Sequence, residues 1–297
     1  MFASPKPLWL EWTVILLIRL MIVVTRLMPL VRARPLGKAV GAGLYFFNGR
    51  MRRVVASQSA QSTRQLMSEM GRVWRQPWAQ TAALLEVDGL GCVKQPLASG
   101  QGVIVLGPHL GNWELLGMRL TTLGNLVALY EPIPLKRLDQ LAHRGRQCTG
   151  KLVPTTPRDI AELVRSGVAG GITRILPDQV PNDENAGVNA LFFGVECFTA
   201  ALASILIKKS GAAPVMGTVL RTRKGFCAVY RPAEPGVKSD DTLETQSAIN
   251  LGVEKLIAGN ERQYQWQYKR FRCRPKGYEN HYDWSAMPLL DAAGLKR

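Results

Sequence analysis

From residue 101 onward, short apolar runs alternate with stretches of helical spacing, and few architectures accept that order. The runs are GVIVL (102–106), NLVALY (125–130), GGITRIL (170–176), APVMGTVL (213–220) and FCAVYRP (226–232). Helical candidates sit between and after them, at 111–123, 135–147, 157–166, 198–210 and 240–260. Strands alternating with helices imply a mostly parallel sheet covered on both faces. The spacing therefore predicts an α/β fold: a mostly parallel, mixed sheet flanked by helices. The antiparallel part is the last pair, 213–220 and 226–232, which the RTRKG link joins as a hairpin. Residues 36–90 read as mainly helical, and no internal repeat is present. With 297 residues, 46% of them hydrophobic, the chain has enough apolar material for a sizeable core.

Residues 8–30 read LWLEWTVILLIRLMIVVTRLMPL. As a helix they would run roughly 34 Å, enough for a hydrocarbon core of about 30 Å. Glu11, Arg19 and Arg26 interrupt the segment, and at ~100° per residue they fall on one stripe about 80° wide. Two placements fit: a spanning helix whose polar stripe packs on protein, or an interfacial helix lying on the leaflet. A cleaved signal peptide does not fit, because Arg19 splits the apolar core and no A-x-A site follows. Only Lys6 precedes the segment, whereas Arg32, Arg34, Lys38, Arg50, Arg52 and Arg53 follow it. The positive-inside tendency then keeps the rest of the chain in the cytoplasm. The expected organisation is an amino-terminal membrane-anchoring helix, residues 1–35, and a single catalytic domain, residues 36–297.

The net charge of +16 calls for an acidic partner: nucleic acid, anionic lipid or an acidic protein. An anchor argues for the last two and against nucleic acid. The five cysteines, Cys92, Cys148, Cys197, Cys227 and Cys273, are odd in number and contain no CxxC, which speaks against a disulfide framework or a zinc cluster. No metal and no cofactor is expected. The sequence has no G-x-S-x-G elbow and no GxxxxGK[ST] loop.

One of three histidines lies in GPHLGNWELLG (107–117), between an apolar run and a helical stretch. His109 therefore falls at the carboxyl end of a strand, where open α/β sheets place ligand sites. Gly111 and Asn112 suit a tight turn into the helix, and Glu114 falls in its first turn. A fold-back would let one ring nitrogen of His109 meet the Glu114 carboxylate while the other faces the cleft. Such a dyad suits deprotonation of a hydroxyl, with helix-start N–H groups near a developing oxyanion. A structural histidine at a turn carries the same spacing.

Four separated blocks resemble the late acyltransferases of lipid A biosynthesis, the lauroyl/myristoyl transferase family of Gram-negative bacteria. They are PHLGNWE (108–114), PDQ (177–179), FFG (192–194) followed by Thr199, and YQWQYKRFRCRP (264–275), which is similar to a W-x-x-x-RF-x-x-RP signature. The resemblance implies an acyl-carrier-protein thioester as donor and a lipid A precursor or related lipid hydroxyl as acceptor. It also implies the cytoplasmic side of a bacterial inner membrane. Carried onto matching positions, His109 is the general base and Glu114 its orienting carboxylate. Asp178 and Gln179 line the site, and either Arg144 or Arg146 in HRGRQ matches the family's arginine. With Asn112, these are the substrate-binding candidates. The second block continues as DQVPNDENAG rather than with an acidic residue or glycine, which leaves the acceptor open to another glycolipid or a phospholipid.

Overall fold

The computed structural model describes residues 8–47, 60–133, 136–146 and 149–273. Lys6, Arg50, Arg52, Arg53, Cys148, Arg274 and Pro275, all used above, lie outside the described residues. The centre is a seven-stranded sheet in the order β1-β9-β8-β2-β5-β3-β4. Its strands are β1 (Leu85–Asp88), β2 (Val103–Leu106), β3 (Leu126–Leu129), β4 (Lys151–Val153), β5 (Ile172–Ile175), β8 (Ala213–Arg221) and β9 (Phe226–Pro232). Every pairing is parallel except β8 with β9. The separate pair β6 (Gly187–Phe192) and β7 (Val195–Ala200) is antiparallel. The five apolar runs are all strands of the main sheet, as expected.

Side chains alternate across β2, and this builds two core layers. Val103 and Val105 join Val73 of α3 (Ala60–Arg75), Val93 of α5 (Gly91–Ala98) and Leu115 of α6 (Trp113–Thr121). Ile104 and Leu106 join Leu163 of α8 (Pro157–Val168), Leu206 of α9 (Leu202–Ser210) and Ile249 of α10 (Thr242–Ile257). The remaining helices are α1 (Leu8–Leu27), α2 (Leu30–Phe47), the short α4 (Trp78–Ala82) and α7 (Lys136–Arg146).

The structure departs from the expected elements in several places, among them the unexpected β6 and α5. The region 36–90 contains β1, and β4 was not foreseen. The helix expected from 198 begins only at Leu202, because residues up to Ala200 belong to β7.

Helices α1 and α2 both pack on α3. α1 buries Ile15, Ile22 and Thr25 there. Gly71 of α3 permits the close approach, since a Cβ on it would lie 2.3 Å from the Ile22 carbonyl oxygen. The opposite face of α1 presents Leu16, Leu20, Val23 and Leu27 to solvent. Among the described residues no helix is long and apolar enough to cross a membrane. The segment expected to be helical over 8–30 is helical from Leu8 to Leu27, with Arg19 and Arg26 along it, and a new helix starts at Leu30.

Candidate active site

After β2 the chain turns through residues 107–112 into α6. Gly111 has φ +62, and a Cβ on it would meet the Val219 carbonyl oxygen at 2.1 Å, so the turn admits only glycine. The turn is fixed from two sides. From β8, Val219 accepts the Asn112 N–H (2.7 Å) and the Thr218 hydroxyl donates to the Leu110 carbonyl (2.9 Å). From the segment after α10, Gln263 accepts the Gly111 N–H (3.0 Å) and the Gln265 N–H donates to the His109 carbonyl (2.9 Å). Asn112 is fully buried. Its side-chain oxygen caps α6 by accepting the Leu115 N–H (2.9 Å), and its amide donates to Glu69 of α3 (2.9 Å). Expected among the substrate-binding residues, it instead supports the turn from beneath.

The carboxylate at the His109 ring is Asp178, in place of the expected Glu114. Nδ1 lies 2.9 Å from Asp178 Oδ1, and the His109 backbone N–H donates to Oδ2 at 2.8 Å. Strand register explains the meeting. Leu106 of β2 pairs with Ile175 of β5, and His109 and Asp178 each lie three residues beyond that pair. A carboxylate only accepts, so Nδ1 is the donor, and in the neutral form of the ring Nε2 holds the lone pair. Burial would raise the Asp178 pKa. The His109 charge and hydrogen bonds, with one from Tyr264, outweigh it and hold the carboxyl below its usual range.

Glu114 in the first turn of α6 is taken by Arg146 at the end of α7, with Nε at 2.9 and 3.1 Å and Nη2 at 2.6 Å. Burial lowers the Arg146 pKa, but the Glu114 charge and hydrogen bonds more than reverse this. Of the two arginines left open, Arg146 reaches the His109 neighbourhood, and Arg144 lines another cavity, on the side of α1.

A cavity of about 410 Å³ opens at the carboxyl ends of β2, β5 and β3. His109, Glu114, Arg146 and Gln179 line it, with Leu129, Ile133, Leu152 and Leu176 as apolar wall. Gln179 is thus brought into the same cavity wall as His109. Two groups in the same wall were not foreseen. Arg174 of β5 is 5% exposed, with Nε and Nη2 unpartnered, and the Trp113 Nε1 is unpartnered as well. Burial brings the Arg174 pKa down to about 10 although the Glu114 charge opposes it. Gly117 of α6 leaves room for this guanidinium, for a Cβ there would lie 3.0 Å from Nη1. An arginine inside an apolar run is the sequence sign that was passed over.

Residues 263–272 form a strap across the site. The Tyr268 ring lies 4.1 Å from the His109 ring, centroid to centroid, and burial followed by the Asp178 charge pushes its hydroxyl up to about 12. Arg270 donates to the Phe198 carbonyl and the Thr199 hydroxyl, both at 2.6 Å, and its guanidinium stands 5.5 Å from the Phe192 ring centroid. Arg272 donates to the Val180 carbonyl (2.6 Å), two residues past Asp178. The third and fourth sequence blocks are therefore ties that hold the Asp178 segment and the strap, outside the cavity wall except for Tyr268.

Comparison with known proteins places the chain in a family. Residues 48–273 match the family model for bacterial lipid A biosynthesis acyltransferases. The chain is 25% identical to a lipid A biosynthesis lauroyltransferase of Escherichia coli (strain K12) over 78% of this chain and 76% of that protein. It is 28% identical to a lipid A biosynthesis palmitoleoyltransferase of the same organism over 78% of this chain and 76% of that protein. A lipid A biosynthesis acyltransferase of Shigella flexneri matches at 28% with the same coverage.

Proposed function

Because the chain belongs to the bacterial lipid A biosynthesis acyltransferase family and is an acyltransferase, we propose that it moves a fatty acyl chain from an acyl-carrier-protein thioester to a hydroxyl of a lipid A precursor, with His109 as general base. The observation that carries this reading is the Asp178 contact at the His109 ring. Asp178 holds Nδ1, and the remaining nitrogen belongs to a side chain that lines a cavity with unpartnered donors in its wall. Nε2 takes the proton of the acceptor hydroxyl, and the alkoxide attacks the thioester carbonyl. The tetrahedral intermediate collapses with loss of the pantetheine thiolate. Asp178 stabilises the imidazolium that forms, as in other acid–imidazole pairs.

The helix-start N–H groups first expected at the oxyanion are largely taken: those of Gly111, Asn112 and Leu115 have partners within the protein. Arg174 and Trp113 provide the free donors in their place. Arg174→Met is therefore expected to lower kcat about 10²–10³-fold. Removing an unpaired buried charge should at the same time leave the unfolding midpoint unchanged or higher. Thermal unfolding and kcat measured on one preparation check both halves. A less stable variant with full kcat would contradict both.

The apolar stripe of Leu16, Leu20, Val23 and Leu27 on α1 supports an interfacial seat on a membrane, where the glycolipid acceptor resides. The excess of basic residues suits an acidic carrier protein and a phosphorylated acceptor. The reading is tested by incubating the purified protein with lauroyl carrier protein and, in separate arms, a tetraacylated phosphorylated disaccharide and a lysophospholipid. Mass spectrometry is expected to show one added acyl chain on the disaccharide. Transfer to the lysophospholipid alone would overturn the acceptor assignment.

A further inference from the structure

A second cavity, of about 450 Å³, lies between α1, α3 and α7 and shares no lining residue with the first. Arg19, Arg26, Arg75, Arg137 and Arg144 line it together with Gln140, and no acidic side chain does among the described residues. Arg19, Arg26, Arg75 and Arg144 make no ion pair among the described residues. The Arg137 guanidinium stacks on the Trp12 ring of α1 at 3.9 Å, which holds α7 to the rim of the cavity. Guanidinium groups gathered without acids repel one another, and the arrangement is relieved when an anion enters.

What kind of anion follows from the wall it shares. Val23 of α1 lines the cavity and also belongs to the solvent-facing stripe with Leu16, Leu20 and Leu27. Arg19 and Arg26 stand along the edge of that stripe, on the same helix. An occupant that satisfies both surfaces carries a compact, doubly charged head and apolar chains. A folded acidic protein would meet the rim of such a concave site rather than its interior.

We propose that this cavity binds the phosphate monoester head of a membrane amphiphile, whose chains lie along the exposed stripe of α1. The site goes beyond the proposed transfer, because it needs no catalytic step and includes none of the residues around His109. It gives Arg144 a role apart from Arg146, and it makes α1 a lipid-reading element rather than a span.

The test uses the full-length protein and vesicles of phosphatidylcholine with or without phosphatidic acid. Wild type is expected to bind the phosphatidic acid vesicles at least about tenfold more tightly, in line with the attraction of clustered basic residues to anionic lipid. The Arg26→Gln/Arg144→Gln protein is expected to lose that preference. Arg158→Gln/Arg165→Gln, which removes the same charge from exposed positions on α8, is expected to keep it. Equal losses in both pairs, or none in the first, would overturn the site. A variant-free arm covers the case of poor folding. Short-chain phosphatidic acid should raise the unfolding midpoint of the wild type, and inorganic phosphate at equal concentration should not; equal shifts would overturn the lipid assignment. His109→Ala is expected to bind vesicles as wild type does, so failure of the transfer reading and failure of this site are told apart.

Discussion

The His109→Ala protein is expected to transfer acyl chains about 10²–10⁴-fold more slowly than wild type, the usual contribution of a positioned general base. The loss should fall on kcat, since the ring takes a proton in the transition state and supplies only a small part of the wall that binds both substrates. Asp178→Asn sharpens the expectation without removing any ring. The asparagine oxygen can still accept the His109 backbone N–H, which leaves its amide to donate to Nδ1. The imidazole proton then moves to Nε2, and the nitrogen that should accept from the acceptor hydroxyl is capped. A comparable fall in kcat with an unchanged unfolding midpoint is expected, as tautomer reversal has this effect in a serine protease triad. Single-turnover measurements with saturating donor separate chemistry from binding. Wild-type rates in both variants would remove His109 from the mechanism.

Glu69→Leu is expected to destabilise the protein by about 3–5 kcal/mol, the usual penalty for leaving buried cations without their acid. Glu69 is fully buried and is met by three groups: Arg34 Nε at 2.8 Å, Arg221 Nε at 2.9 Å and the Asn112 amide at 2.9 Å. Arg34 also donates to the carbonyls of Thr222 and Gly225 at the β8–β9 turn (2.7 and 2.8 Å). One carboxylate thus joins α2, α3, the cap of α6 and the hairpin. Burial lowers the Arg221 pKa and Glu69 works against that, so the guanidinium is held charged by the group that would be lost. Urea unfolding measures the change, and a double-mutant cycle with Arg221→Met isolates the pair. A loss below about 1 kcal/mol would mean that the arginines find other partners, and the hub would then not be the tie described.

What could be read from the chain, and what could not, divides along physical lines. VIVL and its companions were plain because strands buried on both faces are apolar at every position. The edge strands β1 (LEVD) and β4 (KLV) carry charges where solvent reaches them, so nothing marks them as sheet. The address of His109 followed from a strand before it and a helix after it. Its partner did not, because Asp178 arrives 69 residues later and the meeting depends on the register of β2 against β5. The nearer carboxylate, Glu114, was the natural expectation but is claimed by Arg146. Arg144 and Arg146 are two steps apart on one helix, about 200° around its axis, so only one could reach the site and no local pattern says which. Arg174 was hidden for the opposite reason, since a strand in the centre of a sheet is the last place to look for a guanidinium.

The strap over His109 has a bearing on when the protein becomes active during its own synthesis. Chains emerge amino terminus first, and folding of early parts does not wait for late ones. The main sheet and the His109–Asp178 pair are encoded before residue 263, while the carbonyl that holds the Gly111 N–H, the buried Tyr264 ring and the Tyr268 ring against the imidazole come from residue 263 onward. A ribosome-bound chain still short of residue 263 therefore holds most of the scaffold with His109 unfastened. The fastening of His109 is supplied last, by a short segment whose Tyr264, Gln265 and Arg270 are themselves buried.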